Sequence, residues 1–165
     1  MIAKQTPSDP LTVTTDADQA RALKLWVVLV KAQAAIARHA EADATRDGLT
    51  TAEFGLLEAL LHKGRLRTGE LQESVLVTSG GMTYLVDRLA ARGLVQRIDC
   101  PEDRRVRYVE LTRKGDAMIR TAFERHANVI TQATAGLGPY DQEAATRLLK
   151  KLGQFAAAAS TNNAK

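Results

Sequence analysis

Between Thr68 and Arg107 the chain concentrates side chains that hydrogen-bond to phosphates and to base edges. Met82, Leu85, Val86 and Leu89 recur at i, i+3, i+4 and i+7, the stripe of a helix buried on one side. The opposite side then shows Ser79, Gly80, Thr83, Tyr84, Asp87 and Arg88, with Thr78 or Ser79 as its cap. Thr68, at the head of a shorter helix just before, joins this set as a candidate DNA contact. Further on, Glu102-Asp103-Arg104-Arg105, with Arg107 beside it, forms a charged tip between two alternating segments. An arginine at such a tip can enter a minor groove, where negative potential is concentrated. Asp103 would hold a neighbouring guanidinium by a bidentate pair. Taken alone, such a run is as well read as a solvated loop; its position directly after two helices separated by a turn favours the groove. Gly80 and Gly81 leave two readings open, a close approach of backbone to DNA or a loosely wound first turn.

Other reactive side chains are few. Cys100 is the single cysteine, so no intrachain disulfide can form. Arg97 and Arg104 nearby would favour its thiolate, which makes a redox or electrophile sensor one reading and a small, partly buried strand-end residue the other. His39, His62 and His126 have no metal-ligand spacing, and neither a metal nor a cofactor is expected. No glycine-rich phosphate loop, G-x-S-x-G elbow or HExxH motif occurs, so the chain is read as a binding protein and not an enzyme.

The elements that must position these groups follow from period and punctuation. Residues 1–16 are polar and hold Pro7 and Pro10, the pattern of a loose arm. Leu23, Trp26, Val30, Ala34 and Ala37 mark a long helix from Ala17 to about Ala44. Thr50 and Glu53 have the spacing of a capping box and open a second helix with Phe54, Leu57, Leu60 and Leu61 on its apolar face. After the basic link Arg65-Leu66-Arg67, Thr68 can cap a brief third helix carrying Leu71 and Val75; the Met82 stripe makes the fourth. Leu94–Ile98 and Arg105–Leu111 read as two strands of a hairpin. Thr112 can cap a fifth helix, broken at Gly136-Leu137-Gly138-Pro139, and a sixth runs from about Tyr140 to Ala158.

With 165 residues, 45% of them apolar and only 4% aromatic, the chain suits one domain with an aliphatic core. No run of 18 apolar residues is present and no secretory signal opens the chain, so no membrane association and a cytoplasmic location are expected. The net charge of +4 lies entirely within Lys63–Lys114, where 11 Lys and Arg face 7 Asp and Glu; elsewhere the signs balance. A local basic surplus of this kind is the footprint of a phosphate-binding surface.

The stretch Leu76-Val-Thr-Ser-Gly-Gly-Met-Thr-Tyr-Leu-Val-Asp-Arg-Leu89, then Arg92-Gly93-Leu94-Val95, Asp103-Arg104-Arg105 and Val109-Glu110-Leu111-Thr112 with Lys114-Gly115, resembles the MarR family of bacterial regulators over roughly residues 20–155. The resemblance implies a mainly α fold with a small β-hairpin wing, a winged helix-turn-helix flanked by N- and C-terminal dimerisation helices. It implies a homodimer bound to a palindromic operator in double-stranded DNA, with half-sites about one helical turn apart. Asp103 matches the family's wing aspartate and Arg105 its tip arginine, while Thr78, Ser79 and Thr83 match recognition-helix positions. The resulting organisation is an arm (1–16), a dimerisation helix (17–48), a DNA-binding lobe (49–112), C-terminal dimerisation helices (113–158) and a frayed tail (159–165). The wing Cys100-Pro101-Glu102-Asp103-Arg104-Arg105, with Thr78-Ser79-Gly80, is similar to the family's quinone-responsive subgroup, which implies a repressor released by a phenolic or quinone-like small molecule. The family's peroxide-sensing branch carries its cysteine in the N-terminal helix, where this chain has none. Two alternatives stay beside this reading: a thiol sensor acting through Cys100, and a winged helix serving only as an architectural or protein-interaction module.

Overall fold

The computed structural model describes residues 15–75, 79–99 and 107–162, with side chains at all of these except Ser79 and 160–162. They form two compact units, one of them the first helix up to Ala37 and the other everything from Arg38 onward. That helix, α1 (Asp16–Thr45), starts where Thr15 accepts the Asp18 N–H (3.1 Å) and donates its hydroxyl to the Asp18 carboxylate (2.7 Å). The cap satisfies an otherwise orphaned backbone donor, and Asp16 and Asp18 lie favourably in the positive field of the first turn. Within the first unit Leu23, Trp26, Val27 and Val30 remain exposed, Trp26 at 62%.

The second unit holds the core. Helix α2 (Thr51–Lys63) begins with the expected capping box: Thr50 Oγ1 accepts the Glu53 N–H, and Glu53 Oε2 accepts the Thr50 N–H at 2.8 Å. The basic link after α2 is more than a link. Leu66–Arg67 forms a short strand, β1, which pairs antiparallel with β3 (Arg107–Leu111); β3 pairs in turn with β2 (Val95–Asp99). The expected two-stranded hairpin is therefore part of a three-stranded sheet ordered β1-β3-β2, with Leu66 opposite Val109 and Arg97 opposite the same Val109. A two-residue strand has no period of its own; its pairing partner more than forty residues away creates it.

Helix α3 (Thr68–Val75) starts at Thr68, with the Glu70 carboxylate accepting the Arg67 N–H (2.7 Å). Helix α4 (Ser79–Ala91) buries Met82, Leu85, Val86 and Leu89, the stripe expected from their spacing. These side chains join Phe54, Leu56, Leu57, Leu60, Leu71, Leu94, Val95, Val109, Ile119 and Ala122 in one cluster. Burying a Leu or Val side chain is worth about 1.5–3 kcal/mol, so this aliphatic cluster fixes the pose of α4 and the sheet.

Helix α5 (Arg113–Thr134) is capped by Thr112, whose hydroxyl accepts the Gly115 N–H at 3.0 Å. α6 (Pro139–Asn162) follows; Gln142 secures the corner by donating to the carbonyls of Thr134 and Leu137. α6 runs past Ala158, where the apolar period ends. It carries Tyr140, Leu148, Leu149, Leu152 and Phe155 as an exposed apolar face.

Candidate nucleic-acid interface

The side of α4 away from the core presents Gly80, Thr83, Tyr84 and Asp87 to solvent, Tyr84 at 60% exposure. The fold brings this side against the sheet and the start of α3. Thr68, Thr83, Val86, Asp87, Arg97 and Arg107 line one cleft of about 380 Å³. Three residues expected to meet DNA, Thr68, Thr83 and Arg107, therefore share one concavity although they come from α3, α4 and β3. Asp87 binds Arg97 across it (2.7 Å), which ties α4 to β2, and Arg107 pairs with Asp99 across the hairpin (3.5 Å). Ion pairs this exposed are worth about 0–1 kcal/mol, so phosphate oxygens could compete for either arginine.

Arg88 is placed differently from a free groove contact. Its Nη2 lies 3.3 Å from Oε1 of Glu53, a carboxylate with 0% exposure, and its guanidinium lies over the Tyr84 ring at 5.7 Å. The edge strand adds two cations that the sequence reading passed over. Arg65 and Arg67 lie over the Tyr108 ring at 5.2 and 5.7 Å, and Arg67 Nε donates to the Tyr108 hydroxyl (3.4 Å). Such stacking orients both guanidinium planes along the edge strand. The available signal was the basic-apolar-basic triplet Arg65-Leu66-Arg67 next to Thr68, which is the pattern of an edge strand. Thr78, Cys100, Asp103, Arg104 and Arg105 lie outside the described residues, as does the side chain of Ser79.

A second cleft, about 460 Å³, lies between the end of α1 and α5, lined by His39, Ala42, Asp43, Arg46, Val129, Gln132 and Ala133. One of these residues, Asp43, belongs to a charged network. Asp43, 2% exposed, accepts from Arg125 Nε (2.6 Å) and sits 3.2 Å from His126 Nδ1. Arg125 also holds Asp47, and the His126 ring packs on Phe54 with centroids 4.4 Å apart. Burial pushes the Asp43 carboxyl up, but the hydrogen bond and charge of Arg125, then those of His126, outweigh it and leave it below the usual carboxylate range. Arg125 is held still more firmly in its charged form by its bonds to Asp43 and Asp47. The backbone of the same turn bonds to α4's end: Arg92 donates to the carbonyls of Asp47 (3.0 Å) and Gly48 (2.9 Å). Among the described residues no three His, Cys, Asp or Glu gather as metal ligands, and no helix is long and apolar enough to cross a membrane.

The chain is similar to known proteins along most of its length. A model of the MarR family matches residues 47–106, the stretch from the α1–α2 turn to the hairpin. The HTH-type transcriptional regulator MhqR of Bacillus subtilis (strain 168) is 35% identical over 133 residues, which cover 81% of this chain and 92% of that protein. Sco3205, a MarR family transcriptional regulator from Streptomyces coelicolor solved in complex with DNA, superposes with a TM-score of 0.76 at 26% identity, covering 89% of this chain and 91% of that one. A mutant MarR from E. coli complexed with operator DNA has the same fold, with a TM-score of 0.73 at 23% identity over 80% of this chain and 95% of that one.

Proposed function

The chain belongs to the MarR family of DNA-binding transcriptional regulators, which are not enzymes, and from that premise we propose that it is a ligand-released repressor acting as a homodimer on an inverted-repeat operator. The observation that carries the DNA-binding half is the joint placement of Thr68, Thr83 and Arg107 in one cleft beside the exposed face of α4. In this reading α4 enters a major groove, with Gly80, Thr83 and Tyr84 toward base edges and Thr78 and Ser79 at its head. The hairpin is the wing. Arg104 and Arg105 reach the minor groove at its tip, Asp103 orients them, and Arg65, Arg67 and Arg107 hold phosphates at its base.

The dimer reading rests on two apolar faces, Leu23, Trp26, Val27 and Val30 on α1 and Leu148, Leu149, Leu152 and Phe155 on α6. Each is an apolar surface that a second copy of the chain would cover. The effector would occupy the cleft between the end of α1 and α5, where His39 and Arg46 suit an acidic or phenolic group and Val129 and Ala133 an apolar ring. It would act by moving Asp47, which holds Arg125 with its side chain and Arg92 with its carbonyl. The resemblance of the wing motif to the family's quinone-responsive subgroup favours a quinone-like effector, and cytoplasmic residence goes with the role.

The test is a fluorescence-anisotropy titration of the chain against DNA from its own upstream region, at two salt concentrations, with and without a simple quinone. Selective binding lost on adding quinone is the expected result, and a Cys100→Ser variant then separates adduct formation from pocket binding. Selective binding indifferent to quinone would discard the effector class. Binding equal on scrambled DNA would discard the operator reading in favour of an architectural module.

A further inference from the structure

Glu53 does more than its cap requires. Its Oε2 accepts both the Thr50 N–H (2.8 Å) and the Thr50 hydroxyl (3.0 Å), which completes the capping box. A glutamine would do the same, since the box needs one acceptor oxygen. Yet the residue is a carboxylate at 0% exposure, and its second oxygen, Oε1, is buried without a hydrogen bond. An ionised group in that position is costly unless a charge faces it. The facing charge is Arg88, whose Nη2 is 3.3 Å away, within ion-pair range though not aligned as a hydrogen-bond donor. Arg88 comes from the recognition helix, and its guanidinium covers the ring of Tyr84 one turn earlier. Tyr84 is the large side chain that α4 leaves exposed on its outer face.

We propose that Glu53 is a positioning residue for DNA recognition: its buried carboxylate holds Arg88, and through Arg88 the ring of Tyr84, in the pose that α4 presents to the groove. Such a tether fixes the rotamers of two long side chains before DNA arrives, so less freedom is lost on binding. It also gives Arg88 a permanent counter-charge. Arg88 then contributes little to non-specific attraction for phosphate and acts on selectivity instead. The inference rests on the reading that α4 is the groove face.

Glu53→Gln tests it, because the amide oxygen keeps the cap while the amide nitrogen removes the charge that holds Arg88. The probes are an operator duplex selected from random sequence and a duplex of scrambled sequence. The expected result is an unfolding midpoint close to that of the parent and an operator-to-scrambled affinity ratio lower by about tenfold. The freed cation should strengthen binding to the scrambled duplex and steepen its salt dependence by up to about one counterion. Arg88→Lys, which keeps the charge but not the planar stack, should lose the same selectivity, and the double variant should be no worse than either single one. Thr50→Ala is the opposite control; it breaks the cap, lowers the midpoint and keeps the ratio. An unchanged ratio in Glu53→Gln, or equal losses on both duplexes, would overturn the proposal. Tyr84→Ala separates the two levels. Unchanged operator binding in that variant would remove α4 as the groove face, whereas a loss there with none in Glu53→Gln would remove only the tether.

Discussion

Gly115→Ala is a small change with a large expected effect, and the reason lies in one contact. Gly115 is the third residue of α5, in the turn that Thr112 caps. A Cβ built on it would lie 1.9 Å from the carbonyl oxygen of Leu94 and 2.8 Å from its carbonyl carbon. Both obstacles are backbone, and Leu94 is fully buried beside β2, so no side chain can swing aside. Reaching ordinary van der Waals separation would need roughly 1.5 Å of movement between α5 and the start of β2. That carbonyl already accepts the Thr112 N–H (3.0 Å) and faces the Thr112 hydroxyl (3.3 Å). Losing both bonds would cost about 2 kcal/mol, and the residual overpacking about 2 more. The gain in helix propensity from Gly to Ala returns only about 1 kcal/mol. The net is a destabilisation of about 3 kcal/mol, or roughly 10 °C in Tm for a chain of this length. The assay is thermal unfolding by circular dichroism at one fixed protein concentration, since the proposed dimerisation would make Tm concentration-dependent. Gly69→Ala is the matched control, because nothing lies within 4 Å of its added Cβ; it should leave Tm unchanged or slightly raised. A Gly115→Ala protein as stable as the parent would refute the claim that α5 is seated on the Leu94 carbonyl.

Asp43 predicts a pH effect. Its folded pKa is held below the unfolded value of about 3.9, so its contribution to stability is complete above about pH 5 and is lost as pH falls through 4 and below. Asp43→Asn should therefore be less stable than the parent at pH 7, and the gap should narrow toward pH 3; a constant gap would contradict the ion-pair account. Gly80→Ala separates the two readings of the glycine pair, because nothing lies within 4 Å of the new Cβ in the free protein. Its Tm should hold, and an operator affinity reduced about tenfold would mark close backbone approach to DNA, while unchanged affinity would mark a merely loose turn. Leu148→Glu, in the exposed face of α6, should shift the chain toward monomer in sedimentation velocity and weaken operator binding. A dimer of parental affinity would put the interface elsewhere.

The parts of the fold governed by local rules were legible in the sequence. The buried stripe of α4 and the capping box of α2 are set by spacings of three and four residues, and the structure has both. β1 was not legible, because Leu66 and Arg67 become a strand only through Val109 and Tyr108. The same limit applies to Arg88. Its place on the polar side of α4 could be read, but Glu53, 35 positions earlier, looked complete as a capping residue. Asp43 carries no sequence signal at all; its burial and its partners Arg125 and His126 arise where α1 meets α5. Trp26 shows the reverse case. Its apolar stripe was plain, yet within its own unit the side chain stays exposed, so period reported the face and not what covers it.

The central claim, a dimer reading DNA through paired α4 helices and wings, is tested most directly by selecting bound duplexes from a random-sequence pool with the full chain. The account predicts an enriched inverted repeat whose half-site centres lie about 10 base pairs apart, bound with an affinity that falls steeply with salt. Enrichment of a single half-site without a repeat, or of no sequence at all, would contradict it.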